Sequence, residues 1–381
     1  MSLRSCVTGC RKQLATGLNL TPSTTTAARP VARVRCFSSC HSRPLCQRSR
    51  QSPLPLGLAL PASSHYLGSN PGTLRKMSSD AEPVKAPEPI IHDVFEHDTG
   101  TWQYVVADPS TKSAAIIDPV LDFDRTTQGV ATRTADALLA LVKEKGYNVD
   151  WILETHVHAD HLTAASYLQS RLAREQGYSP SIAIGKRIGQ VQRFFGKRYG
   201  VPEDQYGVVF DHLMEDDENF NIGNLTATAM HLPGHTPDHM GYRIGDNVFC
   251  GDSVFHADIG TARCDFPGGS ADSLFASGRR LLSLPDHVKI WTGHDYPPPD
   301  RGSPRAYMTV HEHREQNKHL RDGITAEEFV AMRNERDAKL AAPRMLHQSL
   351  QINIRGGRLP TPTDEGDRML RLPLDLKGAE W

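Results

Sequence analysis

The feature that most constrains this chain is Thr155-His-Val-His-Ala-Asp-His161, which places three histidines and one aspartate directly after an apolar stretch. The preceding segment, Trp151-Ile-Leu-Glu-Thr155, has the composition of a buried strand. Alternate residues of a short extended turn point the same way, so His156 and His158 are expected to reach one ion. Imidazole and carboxylate groups suit Zn, Fe or Mn. The segment therefore predicts a metal site at a strand end, in preference to a surface histidine cluster without a role.

Three further polar clusters also follow predicted strands. They are Gly234-His-Thr-Pro-Asp-His239, Asp252 in Cys250-Gly-Asp252, and His294 in Thr292-Gly-His-Asp-Tyr296. Each cluster alone is a weak signal, because a single histidine at a strand end is more often structural. Folds of the α/β class place their catalytic groups on such loops, at the edge of a rigid sheet. Taken in this order, the four clusters predict one shared site.

Strands and helices alternate from residue 90 onward. The predicted strands are 101–107, 113–118, 151–155, 225–232, 247–251 and 287–293, and the predicted helices are 134–145, 162–174, 271–284 and 326–340. Residues 108–112 have the turn chemistry of a β-hairpin, and Thr325-Ala-Glu-Glu328 has the pattern of a capping box. We expect an α/β catalytic domain over 90–322, then a short helical C-terminal extension and a loosely packed tail over 323–381.

The N-terminal part of the chain differs sharply in charge from the rest. The first 79 residues contain nine Arg, two Lys and no acid, whereas the remainder carries 32 basic and 44 acidic residues. An Arg-rich, Ser-rich and acid-free N-terminus is typical of an organelle transit peptide. We expect residues 1–76 to be a disordered mitochondrial transit peptide, residues 77–89 a linker, and the enzyme to reside in the mitochondrial matrix. A start at Met77 would give a cytosolic form. The alternative is that residues 1–76 are a disordered tail without a targeting function.

Composition also argues against several classes of partner. The formal net charge of −1 does not favour nucleic acid or a membrane surface. No apolar run approaches the roughly 18 residues that span a bilayer.

Five of the seven cysteines precede residue 47, which leaves Cys250 and Cys264 in the expected mature protein. Two cysteines are no disulfide framework, and they fit a reducing compartment, where we expect them to pack in the interior.

The motif order resembles the metallo-β-lactamase superfamily over roughly residues 94–296. Seven residues match its usual ligand positions: His156, His158, Asp160, His161, His235, Asp252 and His294. The resemblance implies an αββα sandwich with the metal at one edge of the two sheets. At position 252 the chain has an aspartate and in this resembles the glyoxalase II branch. Other branches have a cysteine at that position.

Further segments resemble the persulfide dioxygenases of that superfamily. They are Gly260–Phe266 with its Arg-x-Asp-Phe pattern, His294-Asp-Tyr296, Glu327–Val330 and Asn353-Ile-Arg-Gly356. The resemblance implies one Fe(II) per chain, held by His156, His235 and Asp252. Two histidines and one carboxylate leave positions open for O₂ and substrate at such an iron. The implied reaction oxidises glutathione persulfide to sulfite and glutathione.

The other site residues receive expected roles from the same resemblance. His158 and His294 would orient the metal ligands by hydrogen bonds or bind a second metal. Four residues are expected to act in catalysis or substrate binding: Asp160, His161, Arg263 and Tyr296. Arg263 would meet a substrate carboxylate with two hydrogen bonds, and Tyr296 would line the pocket. A rhodanese-type sulfurtransferase is the candidate protein partner, and a homodimer the candidate assembly.

Two other functions stay open. A glyoxalase II-like hydroxyacylglutathione hydrolase would use the seven positions for a binuclear Zn or mixed-metal site, although the Arg-x-Asp-Phe segment and the C-terminal extension disfavour it. A sulfur-carrier or interaction protein with a vestigial site is disfavoured by the intact ligand set. Two stretches, 174–205 and 297–302, look longer than in short members of the family. We expect the basic residues of the first to be a solvated helix face.

Overall fold

The computed structural model of the chain describes residues 88–378. The transit peptide predicted for residues 1–76 and most of the linker predicted for residues 77–89 lie outside the described residues. Within the described range, no helix combines the length and the apolar character that crossing a bilayer requires.

Strands and helices alternate through the described residues. The strands are β1 (Ile90–Glu96), β2 (Thr101–Ala107), β3 (Ser113–Ile117), β4 (Val120–Asp124), β5 (Gly129–Ala131), β6 (Asn148–Leu153), β7 (Leu162–Thr163), β8 (Ser181–Gly185), β9 (His212–Met214), β10 (Glu218–Ile222), β11 (Leu225–His231), β12 (Met240–Ile244), β13 (Asn247–Phe249), β14 (Lys289–Trp291) and β15 (Tyr307–Thr309). The helices are α1 (Arg133–Lys145), α2 (Ala165–Gln176), α3 (Ile188–Tyr199), α4 (Ala271–Leu282), α5 (Val310–Gln316), α6 (Ala326–Asp337) and α7 (Leu346–Asn353).

Two six-stranded sheets form the centre of the described chain. The first has the order β1-β2-β3-β6-β8-β9 and the second the order β10-β11-β12-β13-β14-β15, with a small third sheet β5-β4-β7 beside them. In the first sheet, β1 to β3 are antiparallel and β3, β6, β8 and β9 are parallel. In the second sheet only β13 and β14 run parallel.

Apolar residues fill the space between the sheets and beneath the helices. Along β2, Tyr104 and Val106 join the core between the two sheets, whereas Val105 packs on the other face under α1 and α2. Successive side chains of a strand point to opposite faces, so a strand buried on both faces must be apolar throughout. On the outer face of the second sheet, Leu274 of α4 and Phe329 of α6 cover β13 and β14. This layering is the predicted αββα sandwich.

Several predicted elements have the expected bounds. Strand β2 covers residues 101–107 and pairs with β3 as a hairpin. Helix α1 ends before Gly146, whose φ of 66° allows its N–H to reach carbonyls of the last turn. Thr325 and Glu328 form the expected capping box at the start of α6. These predictions are confirmed because each depends on neighbouring residues alone.

Two predicted boundaries are wrong near the histidine cluster. Helix α2 was predicted to begin at Leu162, but Leu162 and Thr163 form β7, which pairs with β4, and the helix begins at Ala165. The strand predicted to reach Thr155 ends at Leu153, because the Thr155 N–H donates to the Asp118 carboxylate, 2.7 Å away. In both cases a contact from a distant part of the chain replaces the local preference.

Two parts of the chain show more structure than the sequence indicated. Residues 174–205 contain β8 and α3, in which Arg193, Lys197 and Arg198 are exposed as predicted. The opposite face of α3 is buried through Val191 and Phe195. Helix α7 was not predicted, and it packs beside β7 and α3. Residues beyond 358 form no further helix or strand up to residue 378, as expected of a tail.

Candidate metal centre

The histidine-rich loop lies between β6 and β7, and carboxylates from two other loops hold its backbone. Asp118, directly after β3, accepts hydrogen bonds from the Thr155 N–H at 2.7 Å and from the Thr155 hydroxyl at 2.8 Å. Asp238 accepts a third from the Val157 N–H at 3.1 Å. Backbone groups this deeply buried need such partners. The loop is therefore fixed where the two sheets meet.

The first ligand group joins this loop to the second sheet. Ligand atoms of His156, His235 and Asp252 all lie within 4.8 Å of one another. The Oδ2 atom of Asp252 is 3.9 Å from His156 Nε2 and 3.7 Å from His235 Nε2. His235 Nδ1 donates to the Arg263 carbonyl at 2.7 Å, which leaves its Nε2 lone pair facing Asp252. These are the three residues that the sequence indicated for the metal.

A second ligand group lies beside the first. Ligand atoms of His158, Asp160 and His161 are also within 4.8 Å of one another. His158 Nε2 is 3.2 Å from both the Asp118 and the Glu154 carboxylates, so its Nδ1 faces the group. His161 Nδ1 is 3.2 Å from the Leu162 carbonyl, so its Nε2 faces the group. The carboxylates thus orient the ring of His158, in the manner of outer partners of metal-binding histidines.

His294 connects the two groups. Its Nε2 atom is 3.1 Å from Asp160 Oδ2 and 3.5 Å from Asp252 Oδ1. Its Nδ1 atom is 3.3 Å from the Gly100 carbonyl and from the Thr101 hydroxyl. The seven residues that matched ligand positions in the sequence therefore meet in one place.

The candidate ligand atoms of the two groups are suited to binding a cation. Five of them are buried and have no hydrogen-bond partner in the described structure: His156 Nε2, His158 Nδ1, Asp160 Oδ2, His161 Nε2 and Asp252 Oδ1. Each buried polar atom left unpaired costs about 1–3 kcal/mol. A transition-metal ion in each group would satisfy the nitrogen and carboxylate atoms that converge there. Metal binding thus explains a cluster that would otherwise destabilise the fold.

The charge states of His156 and His161 also suit metal binding. Burial lowers the pKa of His156 well below its ordinary value, and neighbouring imidazoles lower this pKa further. Burial lowers the pKa of His161 to about 3. Burial acts to lower the pKa of His294 too, but the Asp252 and Asp160 carboxylates outweigh it and raise this pKa. His156 and His161 are consequently neutral at pH 7, the form in which imidazole binds a metal.

A cavity of about 1000 Å³ opens above both groups. The hairpin of β4 and β5 forms one wall, residues 333–345 form another, and Asp160, His161 and Asp252 lie at its base. Tyr296 also lines it, with its ring stacked on His294 at 5.7 Å between centroids. A cavity of this volume accommodates a small organic substrate against the candidate metal atoms.

Arg263 also lines the cavity, but its side chain is already engaged. Its guanidinium donates two hydrogen bonds to the Asp265 carboxylate and a third to the Ala341 carbonyl. A bidentate contact between Arg263 and a substrate carboxylate, as predicted, requires Asp265 to move away. The main-chain carbonyl of Arg263 has a separate role, since it orients His235.

Several functional residues were missed at the sequence level. Asp118 and Glu154 orient His158, and His239 accepts a hydrogen bond from the Asp252 N–H at 3.0 Å while its ring stacks on His156. Asp118 had a signal, because it ends an apolar run, and His239 belongs to a motif already noted. No signal in the sequence pointed to Arg333 of the cavity wall, because its placement depends on how the C-terminal helices pack.

Comparison with known proteins agrees with this geometry. The family model of the metallo-beta-lactamase superfamily matches residues 98–294, more than half of the chain. The chain therefore belongs to the metallo-beta-lactamase superfamily, whose fold and site define a class of metal-dependent enzymes.

Individual relatives carry several different names, among them beta-lactamase hydrolase-like protein, glyoxylase B2 and persulfide dioxygenase. Glyoxylase B2 of Dictyostelium discoideum is 44% identical over 291 residues, which cover 74% of this chain and 96% of that protein. The mitochondrial persulfide dioxygenase ETHE1 of Homo sapiens is 27% identical over 277 residues, covering 72% of this chain and 91% of that protein. The crystal structure of ETHE1 from Myxococcus xanthus has a TM-score of 0.56 and 26% identity, covering 71% of this chain and 100% of that one.

Proposed function

We propose that the chain is an iron-dependent persulfide dioxygenase, which oxidises glutathione persulfide with O₂ to sulfite and glutathione. The observation that carries this proposal is the group formed by His156, His235 and Asp252 at the base of the cavity. Two histidines and one carboxylate form the facial arrangement of non-haem Fe(II) oxygenases. Similarity to the human persulfide dioxygenase and to the Myxococcus ETHE1 structure supports the same activity.

Bound Fe(II) would supply the redox chemistry that brings O₂ together with a persulfide sulfur. The protein orients and protects this chemistry. The Arg263 carbonyl fixes the ring of His235, and the Asp118 and Glu154 carboxylates fix that of His158. His294 Nε2 lies 3.1 Å from Asp160 and 3.5 Å from Asp252, and these carboxylates raise the pKa of His294 against the effect of burial.

The cavity wall supports an anionic substrate such as glutathione persulfide, which carries two carboxylates. Arg336 and Arg344 are exposed on this wall, and neither forms an ion pair with the described residues. Arg333 is buried beside them, with Nη2 paired to Asp337 and Nε without a hydrogen-bond partner in the described structure. Guanidinium groups bind carboxylates with good geometry and strength. Arg336 and Arg344 thus give the persulfide a place for its carboxylates, whereas Arg333 is already bonded to Asp337 and to the Thr261 carbonyl.

Steady-state kinetics tests whether the arginines of the cavity wall bind the substrate carboxylates. We expect Arg336→Ala to raise KM for glutathione persulfide by roughly 10-fold, in line with the ~1.5–3 kcal/mol of a charged hydrogen bond, and to change kcat much less. Arg193→Ala, which removes an exposed arginine from α3, should leave both constants as in the wild type. An unchanged KM for Arg336→Ala would assign the substrate carboxylates to another wall.

A second candidate function is a glyoxalase II-like thioester hydrolase. The group of His158, Asp160 and His161 favours it, because a second metal would fit there and two metals activate water in such enzymes. The 44% identity to Glyoxylase B2 favours it as well. This candidate shares the fold and the glutathione moiety of the substrate with the dioxygenase and differs in its metals and chemistry.

Metal content and oxygen uptake, measured on protein prepared without air, separate the two candidates. One iron per chain, with O₂ consumed only when glutathione persulfide is added, would support the dioxygenase. Two metals per chain, no O₂ uptake and hydrolysis of S-lactoylglutathione would overturn it in favour of the hydrolase. Both assays use the same protein, so a negative result in one is checked against the other.

We also propose that the chain acts in the mitochondrial matrix. The Arg-rich, acid-free segment of the first 79 residues and the mitochondrial designation of the human relative support this location. Residues 1–87 fused to a fluorescent reporter should direct it to mitochondria, whereas a chain starting at Met77 should remain in the cytosol. A reporter that stays in the cytosol with residues 1–87 attached would contradict the proposal.

A further inference from the structure

A single buried amide in the C-terminal extension forms two hydrogen bonds to the histidine-rich loop and one to the adjoining strand β7. Asn353, the last residue of α7, donates from Nδ2 to the carbonyls of His158 and His161, each at 2.8 Å. Its Oδ1 accepts from the Thr163 N–H at 2.9 Å. Asn353 is 2% exposed, so water does not replace these bonds. The amide uses two donors and one acceptor on a stretch of backbone that contains three of the candidate ligands.

The segment after Asn353 lies against the same loop. Gly357 has a φ of 82°, and a Cβ at this position would be 2.9 Å from the Thr163 carbonyl. A side chain there would be strained twice, by its backbone angle and by this close approach. Residues 353–357, which lie outside the 98–294 match to the superfamily model, therefore fit closely against the loop.

We infer that Asn353 is a positioning residue of the metal centre, which acts through the backbone on both sides of Asp160. The carbonyls of His158 and His161 are fixed in one direction by the same NH₂ group, and this sets the direction in which the two rings point. His158 Nδ1 and His161 Nε2 then face one point, where both are buried without a hydrogen-bond partner in the described structure. The inference rests on the metal centre of the proposed function and is independent of its substrate.

An isosteric change isolates this role. Asn353→Asp keeps the size of the side chain and its acceptor for Thr163, but it loses both donors and places carboxylate oxygens against two carbonyls. Buried carbonyls without donors are unfavourable, so the loop must move to find new partners.

Gln351 on the same helix provides a matched control. Its amide also forms three hydrogen bonds, to the His347 and Arg371 carbonyls at 2.6 and 2.8 Å and from the Arg371 N–H at 2.9 Å. Gln351 is 2% exposed, as is Asn353. These bonds hold the C-terminal tail and none of them reaches the histidine-rich loop. Gln351→Glu therefore introduces the same chemical change on the same helix without touching the candidate centre.

The test is a titration of the metal-free full chain with Co(II), followed by its visible absorption spectrum and by competition with a chelator. We expect Asn353→Asp to bind Co(II) about 10-fold more weakly or worse, as for other partners that orient metal ligands, and with an altered spectrum. Gln351→Glu should match the wild type in both respects. Thermal unfolding of the metal-free proteins shows whether both variants are folded. If Asn353→Asp does not fold, Asn353→Ser, which retains one donor, takes its place.

A wild-type spectrum and wild-type affinity in a folded Asn353 variant would overturn the inference. Equal loss of Co(II) binding in Gln351→Glu would also overturn it, since the effect would then reflect general destabilisation of α7. A wild-type protein that binds Co(II) but consumes no O₂ with glutathione persulfide would contradict only the proposed reaction. The two failures are therefore distinguishable.

Discussion

At the scale of single residues, a hydrogen bond to one ring nitrogen decides where the other nitrogen of a histidine points. His235 Nδ1 lies 2.7 Å from the Arg263 carbonyl, and His161 Nδ1 lies 3.2 Å from the Leu162 carbonyl. A carbonyl only accepts, so both Nδ1 atoms carry the proton and both Nε2 atoms keep a lone pair. The histidines could be identified from the sequence. The partner that fixes the tautomer of His235 could not, because it lies on a separate loop.

Removal of His235 tests the first ligand group. Because its imidazole is one of the three ligands of this group, we expect His235→Ala to retain at most about one tenth of the wild-type metal. Loss of residues that only orient a ligand already lowers metal affinity by about 10–100-fold. Metal analysis of the purified protein measures this. His287→Ala removes a histidine whose side chain is 67% exposed, and it should keep the full metal content. Full metal and activity in His235→Ala would contradict the assignment.

A buried histidine outside the candidate ligands predicts how stability depends on pH. His319 accepts from the Thr261 N–H at 3.0 Å, and burial lowers its pKa to about 3. Its pKa in the unfolded chain is about 6.5, so between these values the unfolded state binds more protons and stability falls as pH falls. Each such histidine contributes at most about 1.4 kcal/mol per pH unit.

Urea unfolding of the metal-free protein at pH 7 and pH 5 measures this dependence. We expect the wild type to be less stable at pH 5, and His319→Gln to lose less stability over the same interval, because glutamine does not titrate. The comparison is between slopes, so a lower overall stability of the variant does not affect it. Equal slopes in the two proteins would show that His319 is not protonated on unfolding.

At the scale of secondary-structure elements, the sequence was informative where neighbours along the chain decide the structure. The hairpin of β2 and β3, the end of α1 at Gly146 and the capping box of α6 follow from local patterns. The start of α2 and the presence of α7 do not. Strand β7 forms only because β4 lies beside it, and Asn353 of α7 bonds to a loop about 190 residues earlier in the chain. Such contacts leave no periodic signal in a single sequence.

The capping box of α6 gives a prediction for an element of the cavity wall. The Thr325 side chain accepts from the Glu328 N–H, and the Glu328 side chain accepts from the Thr325 N–H. We expect Thr325→Ala to lower the free energy of unfolding by about 1 kcal/mol, whereas Thr325→Ser, which keeps the hydroxyl, should be close to the wild type. Urea unfolding compares the three proteins. An effect of the same size in both variants would point to lost packing of the methyl group instead.

At the scale of the whole molecule, the candidate ligands come from both sheets. His156 and His158 follow β6 of the first sheet, whereas His235, Asp252 and His294 follow β11, β13 and β14 of the second. The candidate site could be located from the sequence because strand-end residues of an αββα sandwich meet at one edge. Its orienting partners could not, since Asp118, Glu154 and Asn353 act through hydrogen bonds that depend on the folded loop.

A metal held between the two sheets should stabilise the entire fold. An ion that binds only the folded state adds about 2.7 kcal/mol when its free concentration is 100 times its Kd. We therefore expect a chelator to lower the Tm of the wild type and added Fe(II), without air, to restore it. The Tm of His235→Ala should respond to neither, although that variant should fold. If the wild type unfolds at the same temperature with and without the chelator, the buried nitrogen and oxygen atoms at the sheet edge are satisfied in some way other than by a metal.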